Sequence, residues 1–360
     1  MIKILTIIGT RPEIIRLSEI IPLLDKYFKQ ILVHTGQNYD YELDEVFFKN
    51  FNLRKPNYFL NANGTFGCQL STIFVKLEKI LLKEKPNSLL VLGDTNSSLS
   101  SIIAKRLNIK VYHMEAGNRC YDELVPEEIN RKLIDHSSDF LLPYTFRSCE
   151  NLIKEGIDRK NIFITGNPIY EVLLKHKSKI DKSNIKKRLR LKKNNYFLIT
   201  LHRQENVDEW NKLNQFIKMF NMTFDEYNIP LIWPIHPRTS KMLKINNYNF
   251  SNSKITFIKP LDFFEFVNLE KNAKCVLTDS GTVQEECSIF KVPVVTLRKT
   301  TERPETIETG SNFTINDDTK KIKKSIKIAC DLKRFIIAPD EYLCKNVSNK
   351  IVKILMNNNT

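Results

Sequence analysis

Two short apolar runs constrain this chain more than any other feature. Ser88–Leu92 is stopped by Gly93-Asp94, and Ile109–Met114 is stopped by Glu115-Ala116-Gly117, with a helical stretch at 96–107 between them. Runs this short, apolar throughout rather than alternating, suit strands buried on both faces, and a helix between two of them is the crossover that parallel pairing requires. In an open parallel sheet, ligands sit beyond the carboxyl ends of the strands. Both ends here carry a carboxylate, Asp94 and Glu115, and a third acidic pair, Glu127-Glu128, follows Pro126 in the first turn of a helix predicted to run through His136. Acids gathered at one crevice can divide a proton transfer between a base and an acid when their surroundings separate their pKa values. Structural alternatives stay open. Asp94 is placed to cap a helix, and Glu127 and Glu128 are placed to complement a helix dipole. Glu115, between a buried strand and a glycine turn, has no such task, which favours function.

The same alternation runs along most of the chain. Strands are predicted at 2–8, 30–35, 88–92 and 109–115, and helices at 13–27, 67–84 and 96–107, the second with Leu70, Ile73, Phe74, Leu77, Ile80 and Leu81 on one face. Further strands at 139–143 and 162–165 lead to Gly166-Asn167-Pro168, a helix, and the polar, basic segment 175–195, which reads as a linker. The pattern then restarts, with strands at 196–201, 230–235, 255–258, 275–277 and 292–296 and helices at 210–227 and 283–290. The predicted fold class is therefore α/β: two Rossmann-like, doubly wound parallel-sheet domains facing a cleft. Residues 1–168 form the first domain and 169–341 the second, with a terminal helix from 342 packing back on the first and an Asn357–Asn359 tail that frays.

The chain's 360 residues, 42% of them hydrophobic, suffice for two ordinary cores. The first eight residues are apolar but closed at once by Gly9-Thr10-Arg11-Pro12-Glu13, too short and wrongly flanked for a signal peptide. No run approaches a membrane span. Seven scattered cysteines with no Cys-x-x-Cys pair argue against a disulfide framework and a structural zinc site, so the cytoplasm is the expected compartment. A net charge of +15 invites a nucleic-acid reading, but much of the excess lies in Lys-rich stretches such as 175–193 and 320–327, and no nucleic-acid-binding signature accompanies them. An anionic small substrate would use the same field. Neither nucleic acid nor membrane is expected as a partner.

In the second domain, Leu277-Thr278-Asp279-Ser280-Gly281-Thr282 reads as strand, small-residue turn, then helix. Backbone N–H groups at 280–282 would seat a pyrophosphate, although an ordinary Ser N-cap explains the same residues. Arg298 and Arg303 follow the next strand, where phosphate charge would need them. His202 and His236 each follow a strand of this sheet, while His34, His113, His136 and His176 are read as structural. Gly9–Glu13 is another strand-to-helix loop but lacks the Gly-x-Gly-x-x-Gly fingerprint, so no dinucleotide cofactor is expected.

Taken together, Gly9-Thr10-Arg11-Pro12-Glu13, Gly93-Asp94-Thr95-Asn96-Ser97, Glu115-Ala116-Gly117, Pro126-Glu127-Glu128, Thr165-Gly166-Asn167, Asp279-Ser280-Gly281 with Gln284-Glu285-Glu286, and Thr301-Glu302-Arg303-Pro304-Glu305 resemble the non-hydrolysing UDP-N-acetylglucosamine 2-epimerase family. The resemblance implies a glycosyltransferase-B-type fold, a homodimer, UDP held mainly by the second domain, and neither metal nor redox cofactor. It implies acid/base roles for Asp94, Glu115 and Glu127 and a catalytic place for His202. UDP would be bound by Arg11, His236, Ser280, Gly281, Glu286 and Arg303, with Glu286 on the ribose. Arg16, Asn118 and Arg119 would lie near the sugar.

Several positions depart from the family pattern. Arg16 stands where the family has Lys, Gln37-Asn38-Tyr39 replaces its allosteric Gln-His-Arg, and Thr282 replaces a second glycine after Ser280. These, with the loop Asn118–Val125, are similar to the branch that forms UDP-N-acetyl-L-fucosamine from a UDP-6-deoxy-L-talose-type amino sugar. Thr95 after Gly93-Asp94 speaks against the hydrolysing relatives. A glycosyltransferase on the same fold and a non-enzymatic basic binding protein are the rival readings.

Overall fold

The computed structural model describes residues 1–37, 41–250, 253–315 and 318–359. The chain forms two units, Met1–Leu174 together with Asp340–Thr360, and Lys175–Pro339. Asn38 and Tyr39, two of the residues that depart from the family pattern, lie outside the described residues.

Unit 1 is built on six parallel strands, β1 (Lys3–Ile8), β2 (Lys29–His34), β3 (Tyr58–Phe59), β4 (Ser88–Leu92), β5 (Lys110–Met114) and β6 (Phe140–Leu142). Their spatial order is β3-β2-β1-β4-β5-β6. Every residue of β4 is buried, as its unbroken apolar run requires. Leu5, Ile7, Val33, Leu89 and Val91 pack against Ile73, Leu77 and Leu81 of the helix Phe66–Glu84, each burial contributing about 1.5–3 kcal/mol.

The structure departs from the predicted elements in several places, four of which bear on the architecture. The helix expected at 13–27 is two helices, Arg11–Leu17 and Ile20–Tyr27. Pro22 has no N–H to give the Ser18 carbonyl and its ring crowds that oxygen, so the second helix starts afresh with proline in its first turn. The run 162–165 adds a single bridge, Leu141 to Ile162, rather than a strand. The chain changes unit after Leu174, not at residue 168, because the helix Ile169–Lys175 buries Ile169, Val172 and Leu173, and Glu171 Oε2 accepts from Ser348 N at 2.9 Å. The Asn tail is helical to Asn359. It ends the helix Val347–Asn359, where Asn359 Nδ2 reaches Leu355 O at 2.7 Å and Tyr112 Oη at 3.2 Å.

Unit 2 holds β7 (Phe197–Thr200), β8 (Leu231–Pro234), β9 (Ile255–Ile258), β10 (Cys275–Thr278), β11 (Val294–Thr296) and β12 (Asn312–Thr314), all parallel, in the order β12-β11-β10-β7-β8-β9. Read from the other edge, this repeats the order of unit 1. Trp233 of β8 is fully buried and meets Phe220 of the helix Trp210–Tyr227 edge to face at 5.4 Å. In each sheet the winding reverses once, between β1 and β4 in unit 1 and between β7 and β10 in unit 2. That reversal opens a crevice beyond the carboxyl ends of those strands.

Candidate active site

In unit 1 the crevice begins at Gly9, the turn after β1. A Cβ there would lie 2.1 Å from Thr35 Oγ1 and 2.2 Å from Ser97 Oγ, so only glycine lets the loops after β1, β2 and β4 meet. The Thr10/Glu13 capping box closes the next helix: Glu13 Oε2 accepts from Gly9 N at 2.8 Å, Thr10 N at 2.6 Å and Thr10 Oγ1 at 2.9 Å. Its other oxygen accepts from Thr95 Oγ1 at 2.8 Å, which ties the β1 and β4 loops together. Burial pushes the Glu13 carboxyl up to about 7, against the pull of these four donors.

Glu115 follows β5 with φ of 65°, in the left-handed region that a non-glycine residue enters at a cost of about 1–3 kcal/mol. Its carboxylate is ion-paired with the buried Arg16, whose guanidinium also lies 5.7 Å from the Tyr144 ring centroid. Asn118 Nδ2 donates to Glu115 Oε1 at 3.2 Å, and Ser148 Oγ holds the Asn118 oxygen at 2.8 Å. A Cβ built on Gly93 would sit 3.7 Å from Glu115 Oε2, so this carboxylate lies over the tip of β4.

Asp94 is gripped from the helix Pro126–His136. Arg131 Nε and Nη2 both reach Asp94 Oδ2 at 2.8 Å, and Asn130 Nδ2 donates to the Asp94 carbonyl at 2.9 Å. The neighbouring acids of this helix divide. Glu128 is buried and accepts from Cys120 N at 3.1 Å, Tyr121 N at 3.0 Å and Arg131 Nη1 at 2.5 Å. Burial alone would raise its pKa, but these bonds and the Arg131 charge hold it below the ordinary value. Glu128 therefore fastens the 118–125 loop, while Glu127, half-buried and one turn before Arg131, has no hydrogen-bond or ion-pair partner among the described residues.

Arg119, expected near the sugar, is enclosed by the scaffold of unit 1. Its guanidinium is buried, with Nε and Nη2 on Glu155 at 2.8 and 2.6 Å, Nη2 on Asp135 at 2.8 Å and Nη1 on the Asn118 carbonyl at 2.8 Å, so it serves the scaffold. Asp135 also holds His113 Nδ1 at 2.8 Å and Gly117 N at 3.1 Å. His113 Nε2 faces the Gly93 carbonyl at 2.9 Å, so the ring bridges the helix Pro126–His136 and the turn after β4. Arg11 lies 6.0 Å from the Phe47 ring centroid on the first helix of the same unit.

In unit 2 the buried Asp279 organises the crevice. It accepts from His202 N at 3.0 Å, Arg203 N at 2.9 Å and Asn206 Nδ2 at 3.2 Å, and His202 Nδ1 lies 3.3 Å from its other oxygen. His202 and His236, at the tips of adjacent strands, have ring centroids 5.5 Å apart. His236 caps the helix Pro237–Ile245 by accepting from Arg238 N at its Nδ1, 3.2 Å away. Ser280 precedes the helix Gly281–Phe290 without capping it. Its hydroxyl pairs instead with Thr282 Oγ1 at 3.1 Å. A Cβ on Gly281 would meet the Arg303 guanidinium at 3.9 Å, so helix start and cation adjoin. Buried Glu285 ion-pairs with Arg303, and Arg298 and Glu302 form a two-pronged pair at 2.9 and 2.8 Å behind it. Glu286 is buried too. Burial first, and then the charge of Glu286, hold the neighbouring Glu270 well above the ordinary carboxylate range.

Unit 1 thus gathers Asp94, Glu115, Arg16 and Asn118, and unit 2 gathers His202 with His236 and Ser280 and Gly281 with Arg303. Among the described residues, no group of three or more His, Cys, Asp and Glu side chains is arranged to hold a metal ion. The sequence profile of the UDP-N-acetylglucosamine 2-epimerase family matches residues 24–356. The chain belongs to this family. A UDP-N-acetylglucosamine 2-epimerase of Methanocaldococcus jannaschii is 44% identical over 344 residues, 92% of this chain and 93% of the relative. The crystal structure of the enzyme from that organism in complex with UDP-GlcNAc and UDP has a TM-score of 0.93 at 42% identity, covering 99% of this chain and 100% of that one. A UDP-2,3-diacetamido-2,3-dideoxy-D-glucuronate 2-epimerase of Pseudomonas aeruginosa is 34% identical over 336 residues, 90% of this chain and 91% of the relative. An epimerase is an isomerase, and the two six-stranded parallel sheets are those of the glycosyltransferase-B-like fold.

For this epimerase-family chain, sequence reasoning missed residues that position others. Arg131 holds both Asp94 and Glu128, and its only sequence signal is its place one turn beyond Glu127. Asp279 gathers amide groups that lie more than seventy residues earlier in the chain, a relation that no spacing rule reveals. Glu13 was legible in principle, since Thr10-x-x-Glu13 is a capping-box spacing.

Proposed function

We propose that the chain inverts carbon 2 of a UDP-N-acetylhexosamine without net hydrolysis. A carboxylate removes the proton at carbon 2 as the bond from carbon 1 to the UDP oxygen breaks, giving a glycal and UDP. A second acid returns a proton to carbon 2 from the opposite face, and UDP adds back at carbon 1. The observation that carries this reading is the pair of carboxylates on adjacent strand ends, Asp94 and Glu115, each with its own arginine, together with Glu127, one turn before Arg131, which has no hydrogen-bond or ion-pair partner among the described residues. UDP, whose charge grows as it leaves, would be received by Arg303, the amides at the start of the helix Gly281–Phe290, Ser280 and His236, with Arg11 assisting and Glu286 on the ribose. His202 would stand in the catalytic site. No metal or redox cofactor takes part, and the protein works as a cytoplasmic homodimer.

Two features favour a 6-deoxy sugar substrate within this reaction class. The 118–125 loop is fastened by Glu128, and its apolar members Tyr121 and Leu124 are exposed, so a methyl would be tolerated where a hydroxyl-binding pocket would reject it. In heavy water, deuterium should enter carbon 2 with inversion and without net UDP release, faster for the UDP-6-deoxy-L-talose-type amino sugar than for UDP-N-acetylglucosamine. Exchange with neither substrate would overturn the reaction. Exclusive, sigmoidal use of UDP-N-acetylglucosamine would overturn the substrate branch alone.

A further inference from the structure

The segment Asp331-Leu332-Lys333-Arg334-Phe335-Ile336-Ile337 mixes cationic and apolar residues and has no part in the proposed chemistry. It follows the helix Thr319–Asp331 through a turn at Lys333–Phe335. Ile336 and Ala338 point inward at 5% exposure each, and the residues alternating with them point out, Phe335 at 60% and Ile337 at 63%. Leu332 is 49% exposed. Outward aromatic and branched side chains anchored by buried neighbours form a fixed apolar ridge rather than a frayed end. The Arg334 guanidinium lies 4.8 Å from the Phe335 ring centroid and stiffens it further.

Cations surround this ridge. Lys333 Nζ donates to Asn194 Oδ1 at 2.8 Å, which places the segment at the loop entering β7. Partial burial and then the charges of Lys193 and Lys274 hold Lys333 below the ordinary lysine value, a sign that like charges crowd together here. Lys186 is lowered in the same way, by burial and then by Lys193 and Lys271. Lys324 and Lys327 add exposed charge on the helix leading in. Asp331 is the acid within the segment, and Asp181 neutralises Lys271 at 2.7 Å. All of this lies at the edge where the strands of unit 2 begin, opposite the carboxyl ends that carry Ser280 and His202.

We infer that this edge of unit 2 docks on an anionic lipid surface. Cations alone would suit any polyanion, but a nucleic-acid backbone offers phosphates without a bed for Leu332, Phe335 and Ile337. A headgroup layer over acyl chains rewards both kinds of side chain at once. No helix among the described residues is long and apolar enough to cross a membrane, and surface docking needs none. The proposal is independent of the substrate reading above.

The test is sedimentation of the whole protein with phosphatidylcholine vesicles, with and without phosphatidylglycerol, at low and high salt. Binding is expected only with phosphatidylglycerol, and should weaken as salt screens it. Lys193→Glu with Arg334→Glu should lower the partition coefficient by at least about tenfold, and Phe335→Ser with Ile337→Ser by about tenfold. Turnover without vesicles should be unchanged in both variants, showing that they fold. Failure of the wild-type protein to bind phosphatidylglycerol vesicles would overturn the proposal. So would binding that ignores Phe335→Ser with Ile337→Ser and is abolished by a duplex RNA competitor.

Discussion

Between β1 and β4 the crevice of unit 1 is furnished with carboxylates that carry their own cations. The matching crevice of unit 2, between β7 and β10, reverses the arrangement. There the central carboxylate, Asp279, is buried and bound to amides, the cations Arg303 and Arg298 are buried with carboxylates of their own, Glu285 and Glu302, and a helix start and two imidazoles stand at the strand ends. Two sheets wound in the same order therefore carry different groups at their strand ends, and under the proposed function the first would move protons and the second would receive phosphate. Function follows the side chains at the strand ends rather than the winding.

That division can be broken by substitution. The largest effects belong in unit 1: Asp94→Asn, Glu115→Gln and Glu127→Gln should each lower turnover by at least about a hundredfold while calorimetry shows UDP still bound. Wild-type turnover in any one of them would remove that residue from the proton pathway. In unit 2 the expected loss is of affinity. Arg303→Ala should weaken UDP binding by about 1.5–3 kcal/mol, a charged hydrogen bond's worth. Unchanged affinity would show that the pyrophosphate lies elsewhere.

A smaller effect distinguishes the unit 1 crevice by pH. Glu13 holds its proton more tightly folded than unfolded, so its stabilisation is full below its ordinary value of 4.5 and is lost as pH rises to about 7. Glu13→Gln should therefore flatten the pH dependence of the urea midpoint between those limits, by about 1–3 kcal/mol relative to wild type. Identical pH profiles would mean that Glu13 is ionised throughout. Ser280→Ala should cost less than Arg303→Ala, about 0.5–1.5 kcal/mol of UDP affinity. A chelator should leave the epimerisation rate where it was, and a metal-dependent rate would overturn the metal-free mechanism.

Much of the frame was legible because buried parallel strands leave unbroken apolar runs. Ser88–Leu92 and Cys275–Leu277 could be read directly, and so could the helix Trp210–Tyr227. Tyr58–Phe59 and Asn312–Thr314 were not, because two or three residues carry no period and gain their strand character from a neighbour's edge. The motifs marked the acids but not their partners. Arg131 and Arg16 reach their carboxylates across 37 and 99 residues, distances at which only the fold brings charges together. The same limit hid the partners of Arg119, since Glu155 and Asp135 enclose it from positions that its place beside Asn118 does not reveal.

The helix Val347–Asn359 belongs to unit 1 although it follows all of unit 2 in the chain. The residues that cover the helix Ile20–Tyr27 are therefore synthesised only after the whole of Lys175–Pro339. Until they arrive, unit 1 keeps part of its apolar surface uncovered while the intervening unit is made. That interval is when a nascent chain of this kind most needs a chaperone.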